Sequence, residues 1–385
     1  MKEHIIPQYP SVAMLRERAR QRMPGFAFDY LEGGCNEEVN LHRNTADIRE
    51  IELLPRYLEA FDGANLETEL FGHTYAAPFG VAPIGLQGLM WPHASEILAA
   101  AAYAHKVPYI LSTVGTASLE TIADITQGQA WFQLYHPREE DLRNDLLDRA
   151  QAAGYQVLVI LADVPTFGYR AKEIRNGLSL PPRMTARNVR QILTSSRWAL
   201  ETLRAGAPRF KTLDPYLPKG LNLRHLGQFM NRTFDGRLNE ERVKALRDRW
   251  KGKLVLKGVA HTADVEKAIA WGLDGIILSN HGGRQLDAGP SSVATLSHIA
   301  QTCGDRIKVM LDSGVRSGPD VARVLAQGAQ FAFLGRTFMY GVGALGKRGG
   351  DHTMAMLKVQ LQQVMEQVGC ERVTDLPGYL RSYGK

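Results

Sequence analysis

Between residues 79 and 336, short apolar runs alternate with longer amphipathic stretches, and each run closes on a small or polar residue. Four runs come early: FGVAPIG from Phe79, YILST from Tyr109, AWFQLY from Ala130 and VLVILAD from Val157. Four come late: KLVLKG from Lys253, GIILSN from Gly275, KVMLDSG from Lys308 and FAFLGR from Phe331. Their apolar character is nearly continuous, as in strands buried on both faces. The intervening stretches repeat with a period near 3.6; in SGPDVARVLAQGA, residues 317–329, Val321, Val324 and Leu325 share a face behind a capping Ser317. Eight strand–helix units predict an α/β fold of the (β/α)8 TIM-barrel type. The absence of a glycine-rich turn after the first strand disfavours an open, doubly wound sheet.

Barrel chemistry sits at the C-terminal strand ends, which makes Gly85, Ser112, Gln133, Tyr135, Asp163, Lys257, His281, Asp312, Gly335 and Arg336 the candidate list. Two segments fall outside the alternation. Residues 1–75 form a helical N-terminal extension containing FAFDYLEGG, and residues 177–251 form a long connection after the fourth strand. A connection of that length is expected to be a lid, a partly helical segment or a docking surface. Residues 1–385 thus read as one domain, without internal repeats beyond the βα alternation.

Composition narrows the picture modestly. With 385 residues and 44% hydrophobic positions, the chain can bury a large core. Cys35, Cys303 and Cys370 are far apart and lack metal-ligand spacing, so neither a disulfide framework nor a metal site is expected, and a reducing cytoplasmic setting fits. No signal-peptide core stands at the N-terminus and no run of about 18 apolar residues occurs, so no membrane span is expected. The formal net charge of +6 favours anionic partners such as a carboxylate, a phosphate or a lipid surface.

One letter-perfect motif is set aside. GVGALG, residues 341–346, matches the dinucleotide pattern but follows RTFMY, which reads as helix, and opens no βαβ unit. LDSGVRSG after the seventh strand and LGRT after the eighth are better phosphate candidates. They place Gly314, Arg316, Gly335 and Arg336 where barrel loops present backbone N–H groups to phosphate. The stretch SNHGGRQLD, residues 279–287, sets an imidazole and a guanidinium three positions apart, at His281 and Arg284. With Asp163 and Arg170 after the fourth strand, Tyr135 after the third and Lys257 after the fifth, these converge on one mouth. Two arginines suit a carboxylate, and a histidine beside an aspartate suits proton removal from it.

SNHGGRQLD, LVLKG, WFQLY, LDSGVR and LGR, taken in barrel order, resemble the FMN-dependent α-hydroxy acid dehydrogenase and oxidase family over nearly the whole chain. The resemblance implies FMN as cofactor and oxidation of an L-2-hydroxy acid to the 2-oxo acid. It places the base on His281, its supporting aspartate on Asp163, the carboxylate-binding arginines on Arg170 and Arg284, and substrate-contacting tyrosines on Tyr30 and Tyr135. Flavin contacts fall on Ala82, Pro83, Ser112, Gln133, Lys257, Ser279, Asp312, Gly314, Arg316, Gly335 and Arg336. A cation such as Lys257 beside the flavin would stabilise the charge of its reduced form.

Within that family the short-chain oxidases carry a tryptophan where this chain has Val114, and some carry alanine where it has Gly85. Both smaller residues predict an aromatic or otherwise larger 2-hydroxy acid, and GLMWP, FGYR and PPRMT resemble the (S)-mandelate dehydrogenase branch. Residues 187–204 read as a basic amphipathic helix, with Val189, Ile192, Ala199, Leu200 and Leu203 on one face and Arg187, Arg190, Arg197 and Arg204 on another. Trp198 among those arginines suits a membrane interface. Residues 175–224 hold ten Lys or Arg against Glu201 and Asp214. Anionic lipid and peripheral attachment to the inner face of the cell membrane are therefore expected, against a lid helix packed on the barrel, and the resemblance implies a membrane quinone as acceptor. The resemblance also implies a homo-oligomer, often a tetramer. A soluble oxygen-using oxidase, an L-lactate dehydrogenase and a barrel that has lost catalysis are the competing readings; nucleic-acid binding has only the basic segment in its favour.

Overall fold

The computed structural model describes residues 5–178, 184–217, 233–234 and 237–381. Residues 181–183 of PPRMT, and Lys219 and Arg224 of the basic count, lie outside the described residues. All eight expected strands form, as β3 (Phe79–Val81), β4 (Ile110–Ser112), β5 (Trp131–Leu134), β6 (Val157–Leu161), β7 (Lys253–Val259), β8 (Gly275–Leu278), β9 (Lys308–Leu311) and β10 (Phe331–Leu334). They pair in parallel in the order β3-β10-β9-β8-β7-β6-β5-β4, and a bridge between Val81 and Tyr109 closes the ring into a TIM barrel. The strand alternation divides the core in two. Ile110, Trp131, Val159, Val255, Ile277, Met310 and Phe333 fill the lumen, while Leu111, Phe132, Leu158, Leu256, Leu278, Leu311 and Leu334 pack under the helices. Continued two residues further, the inward register reaches Ser112, Gln133, Lys257, Ser279, Asp312 and Gly335. The polar strand-end residues therefore sit on top of an apolar plug.

The sequence reading missed a hairpin, β1 (Thr68–Leu70) and β2 (His73–Tyr75), whose turn residues Phe71 and Gly72 have φ of +56° and +80°. Two positive φ values suit a tight hairpin turn. Leu70 and Tyr75 join the lumen cluster and Phe71 packs against it, stoppering the end away from the polar mouth. The N-terminal extension contributes α1 (Val12–Arg22), α2 (Gly25–Glu32) and α3 (Val39–Arg49). GVGALG lies within and just after the helix Arg336–Leu345; a β-carbon on Gly343 would stand 2.7 Å from Met23 Sδ, so that glycine lets α1 pack closely.

The connection after β6 corrects one expectation. The single helix over 187–204 is two, Ala186–Thr194 and Ser196–Ala205, parting at Ser195, whose ψ of 57° leaves the helical region. Trp198 is not an interface residue. It is buried, donates its indole N–H to the carbonyls of Leu89 and Met90 at 3.2 and 3.1 Å, and meets the Phe26 ring edge-on. Ile192 and Ala199 turn partly toward the protein, whereas Val189, Leu193, Leu200 and Leu203 face outward, with Leu193 75% and Leu203 82% exposed. Among the described residues no helix is long and apolar enough to cross a membrane.

Candidate active site

A cavity of about 600 Å³ opens at the C-terminal mouth of the barrel. Its wall includes Tyr30, Ala82, Pro83, Gly85, Val114, Tyr135, Arg170, Lys257, His281, Arg284, Asp312, Gly314, Arg316, Gly335 and Arg336. Ser112, Gln133, Asp163 and Ser279 do not reach that wall; they are buried immediately behind it. Elements far apart in sequence therefore bring every expected site residue to one place, in two tiers.

The turn after β8 explains the sequence HGG. His281, Gly282 and Gly283 take φ of +57°, +68° and +72°, three successive left-handed residues. Glycine adopts that conformation readily; a histidine held there is strained. A β-carbon on Gly282 would fall 2.6 Å from Arg336 Nη1, and one on Gly283 would fall 2.5 Å from the Leu41 backbone nitrogen. The turn is pinned by Ser313 Oγ, which accepts from Gly282 N at 2.8 Å and donates to Asp312 Oδ1 at 2.9 Å. Ser313, itself at φ +72°, escaped the sequence reading because a serine beside a strand end carries no distinguishing signal.

His281 Nδ1 lies 3.1 Å from Asp163 Oδ1. The carboxylate can only accept, so it holds the proton on Nδ1 and leaves the Nε2 lone pair free. Burial lowers the imidazole pKa below its ordinary value and outweighs the opposing pull of Asp163. Burial works the other way on Asp163, but Lys257 and His281 prevail and keep it ionised. Lys257 Nζ is 3.1 Å from Asp312 Oδ2, 3.9 Å from Asp163 Oδ2 and donates to Ser279 Oγ at 2.9 Å. Burial lowers the pKa of this lysine, but the carboxylates of Asp312 and Asp163 outweigh it and raise the pKa, so it remains a cation.

Arg284 donates through Nη1 to the carbonyls of Tyr30 and Gly33, at 2.7 and 2.9 Å, and its guanidinium stacks 4.9 Å from the Tyr30 ring centroid. Arg170 reaches Gln285 Oε1 at 3.2 Å. A residue absent from the sequence reading stands between the two arginines: Glu173 accepts from Arg284 Nη2 at 2.6 Å and from Arg170 Nη1 at 3.4 Å. Its signal was its spacing, three positions after Arg170 on the helix Ala171–Arg175. Burial raises the pKa of both Tyr30 and Tyr135, so neither phenol ionises near neutrality.

Arg336 spends its donors on the carbonyls of Leu31, Gly282 and Gly33 at 3.0, 3.0 and 2.8 Å. Burial, with the neighbouring charge of Arg316, pushes it down to about 9. Among the described residues neither Arg316 nor Arg336 has a carboxylate within ion-pair distance. Partly buried cations without counter-charge mark a place for an anion. Gln133 adds a second indication. Its Oε1 accepts from Ser112 Oγ at 2.7 Å, while its buried Nε2 has no protein partner.

Comparison with known proteins gives these features a family. Residues 19–382 match the model of the FMN-dependent dehydrogenases. The chain belongs to the FMN-dependent dehydrogenase family. It is 35% identical over 368 residues to an L-lactate dehydrogenase of Pseudomonas syringae pv. syringae, covering 95% of this chain and 96% of that one. It is 36% identical over 363 residues to an L-lactate dehydrogenase of Stenotrophomonas maltophilia, covering 94% and 95%. Among solved structures, a monotopic membrane protein, (S)-mandelate dehydrogenase, superposes with a TM-score of 0.92 at 33% identity over 97% of this chain and 99% of that one. A mandelate oxidase gives 0.82 at 32% identity, covering 97% and 98%.

Membership makes this an FMN-dependent oxidoreductase of 2-hydroxy acids, and the donor set fits that cofactor. Two arginines without carboxylate partners suit a phosphate, and an orphaned amide N–H behind the cavity wall suits a carbonyl-bearing ring. The family's sequence relatives and structural neighbours differ in substrate, and the wall of this cavity bears on the choice. Beyond the polar mouth it is lined by Leu86, Leu89, Met90, Leu178, Pro208 and Phe210.

Proposed function

We propose that the protein oxidises an L-2-hydroxy acid with a large apolar or aromatic side chain, (S)-mandelate or a relative of it, to the 2-oxo acid, and passes the electrons to a membrane quinone. The observation that carries this reading is the contact between Gly85 and Val114. Both line the same cavity as the apolar wall, and neither position carries a large side chain. A substrate of lactate size would leave that wall unfilled.

In this reading Arg170 and Arg284 hold the substrate carboxylate, and Tyr30 and Tyr135 flank it. Arg316 and Arg336 with the loop at Gly314 and Gly335 would hold the FMN phosphate, and Ala82, Pro83, Ser112, Gln133, Lys257, Ser279 and Asp312 would surround its ring system. FMN supplies the two-electron acceptor. His281 Nε2 takes the proton released as the alcohol becomes a ketone, and Asp163 stabilises the resulting imidazolium. The lowered imidazole pKa keeps Nε2 ready to accept at neutral pH. Lys257, kept charged by two carboxylates, would offset negative charge on the bound cofactor.

The outward apolar residues Val189, Leu193, Leu200 and Leu203, interleaved with exposed Arg187, Arg190, Arg197 and Arg204, support docking to an anionic lipid surface. The likeness to a monotopic membrane protein agrees with that reading. Anaerobic mixing with (S)-mandelate, L-lactate and glycolate tests the substrate: fast loss of oxidised flavin absorbance with mandelate supports it. Faster loss with L-lactate would assign the activity of the sequence relatives instead. Reoxidation by oxygen as fast as by a quinone would make the protein an oxidase.

A further inference from the structure

We infer that Glu173 is a specificity-determining residue that tunes the site to monoanionic 2-hydroxy acids and disfavours dicarboxylates. The inference rests on the proposed carboxylate clamp of Arg170 and Arg284. Glu173 lies on the cavity wall, its side chain only 13% exposed, and bridges both guanidiniums. It cannot leave easily, because its short helix is tied down at both ends. Lys172 Nζ is 2.6 Å from Glu38 Oε2, and Asn176 Nδ2 donates to Asp29 Oδ2 at 2.7 Å. The carboxylate is therefore a fixed part of the site.

Two adjacent guanidiniums carry two positive charges, and Glu173 removes one. A substrate monocarboxylate brings the group to neutrality. A dicarboxylate would leave an uncompensated negative charge where water is scarce, which is costly. Orienting the arginines is a separate role that any hydrogen-bonding side chain of the same shape would fill. Glu173→Gln separates the two, since it keeps shape and acceptor while removing the charge.

Oxamate and oxalate have nearly the same shape and differ by one charge and one donor group, so the change in their affinity ratio between wild type and variant reads the charge at position 173. The ratio is measured on the FMN-loaded protein by flavin absorbance change and by calorimetry. Glu173→Gln is expected to shift preference toward oxalate by about tenfold or more, as one unit charge a few ångströms away in a partly buried site would. Glu173→Asp should keep the wild-type ratio even where both affinities change. Glu173→Ala provides a second neutral variant, its folding judged by FMN content. A ratio within about twofold of wild type in the neutral variants would overturn the inference and leave Glu173 an orienting residue. Binding of neither ligand to the wild-type protein would remove the clamp itself, and the inference with it.

Discussion

A β-carbon built on Gly85 stands 2.9 Å from Val114 Cγ2 and 3.9 Å from the Tyr30 hydroxyl. The two positions proposed to set cavity width therefore adjoin, and a side chain added at Gly85 would displace Val114. Gly85→Ala should force Val114 toward the substrate. We expect kcat/KM for (S)-mandelate to fall about tenfold, in line with the 1–3 kcal/mol that overpacking costs, and that for L-lactate to change much less. Steady-state kinetics on both acids checks this. An equal loss for both would mean that the contact does not control width.

The imidazole of His281 works as a base only when neutral, and burial holds its pKa below 6.5. Protonation is thus deferred to lower pH than for an exposed histidine. Stopped-flow flavin reduction should stay level through neutrality and decline only below pH 6.5, about tenfold per unit once well below the pKa. His281→Gln should retain FMN and lose roughly 10²- to 10⁴-fold in reduction rate, the usual worth of a general base. Decline beginning above pH 7 would point to another titrating group.

Lys257 is 4% exposed and stands between two buried carboxylates. Removing its charge leaves Asp163 and Asp312 facing each other. Lys257→Met should cost about 3–5 kcal/mol, the range for breaking a buried ion pair by deleting one member, and should lower both the melting temperature and FMN content. Asp312→Asn in the same background should recover part of the loss, because it removes one of the stranded charges. A melting temperature unchanged by Lys257→Met would show that the carboxylates take up protons instead.

Vesicle flotation tests the outward face of 186–205. Wild-type protein should float with anionic vesicles at low salt and less at high salt, since the arginines contribute about 1 kcal/mol each near a charged surface. Leu193→Asp with Leu203→Asp should weaken flotation while leaving anaerobic reduction by substrate unchanged. No flotation of wild type at low salt would remove the membrane reading.

The sequence made the barrel legible because buried parallel strands are nearly uninterrupted in apolar residues, and period two then places the polar strand-end groups inward. Lys257 stands where that register puts it, whereas Asp163, His281 and Arg284 lie in the loops just beyond their strands. The hairpin at Phe71 was hidden because phenylalanine at a left-handed position contradicts local preference and is held by packing in the lumen. The break at Ser195 was hidden because the 3.6 period runs through it and two short helices keep nearly the same phase. Trp198 misled for a related reason: arginines next to it in sequence say nothing about Leu89 and Met90, which claim its N–H. Glu173 looked like one more acid beside a base on a short helix; only the fold brings Arg284 to its other side.

Arg284 and Arg336 both donate to the carbonyl of Gly33, across 251 and 303 residues of chain. During synthesis the extension that offers this carbonyl emerges early, and the arginines that claim it emerge 251 and 303 residues later. Until they arrive, α2 is held by earlier elements, through Asp29 on Asn176 and Phe26 on Trp198, but a nascent chain stalled before β10 lacks a finished pocket whatever else has folded. Assembly of the site is thus tied to completion of the barrel by two long-range clasps on a single oxygen, a non-local closure of the slow kind.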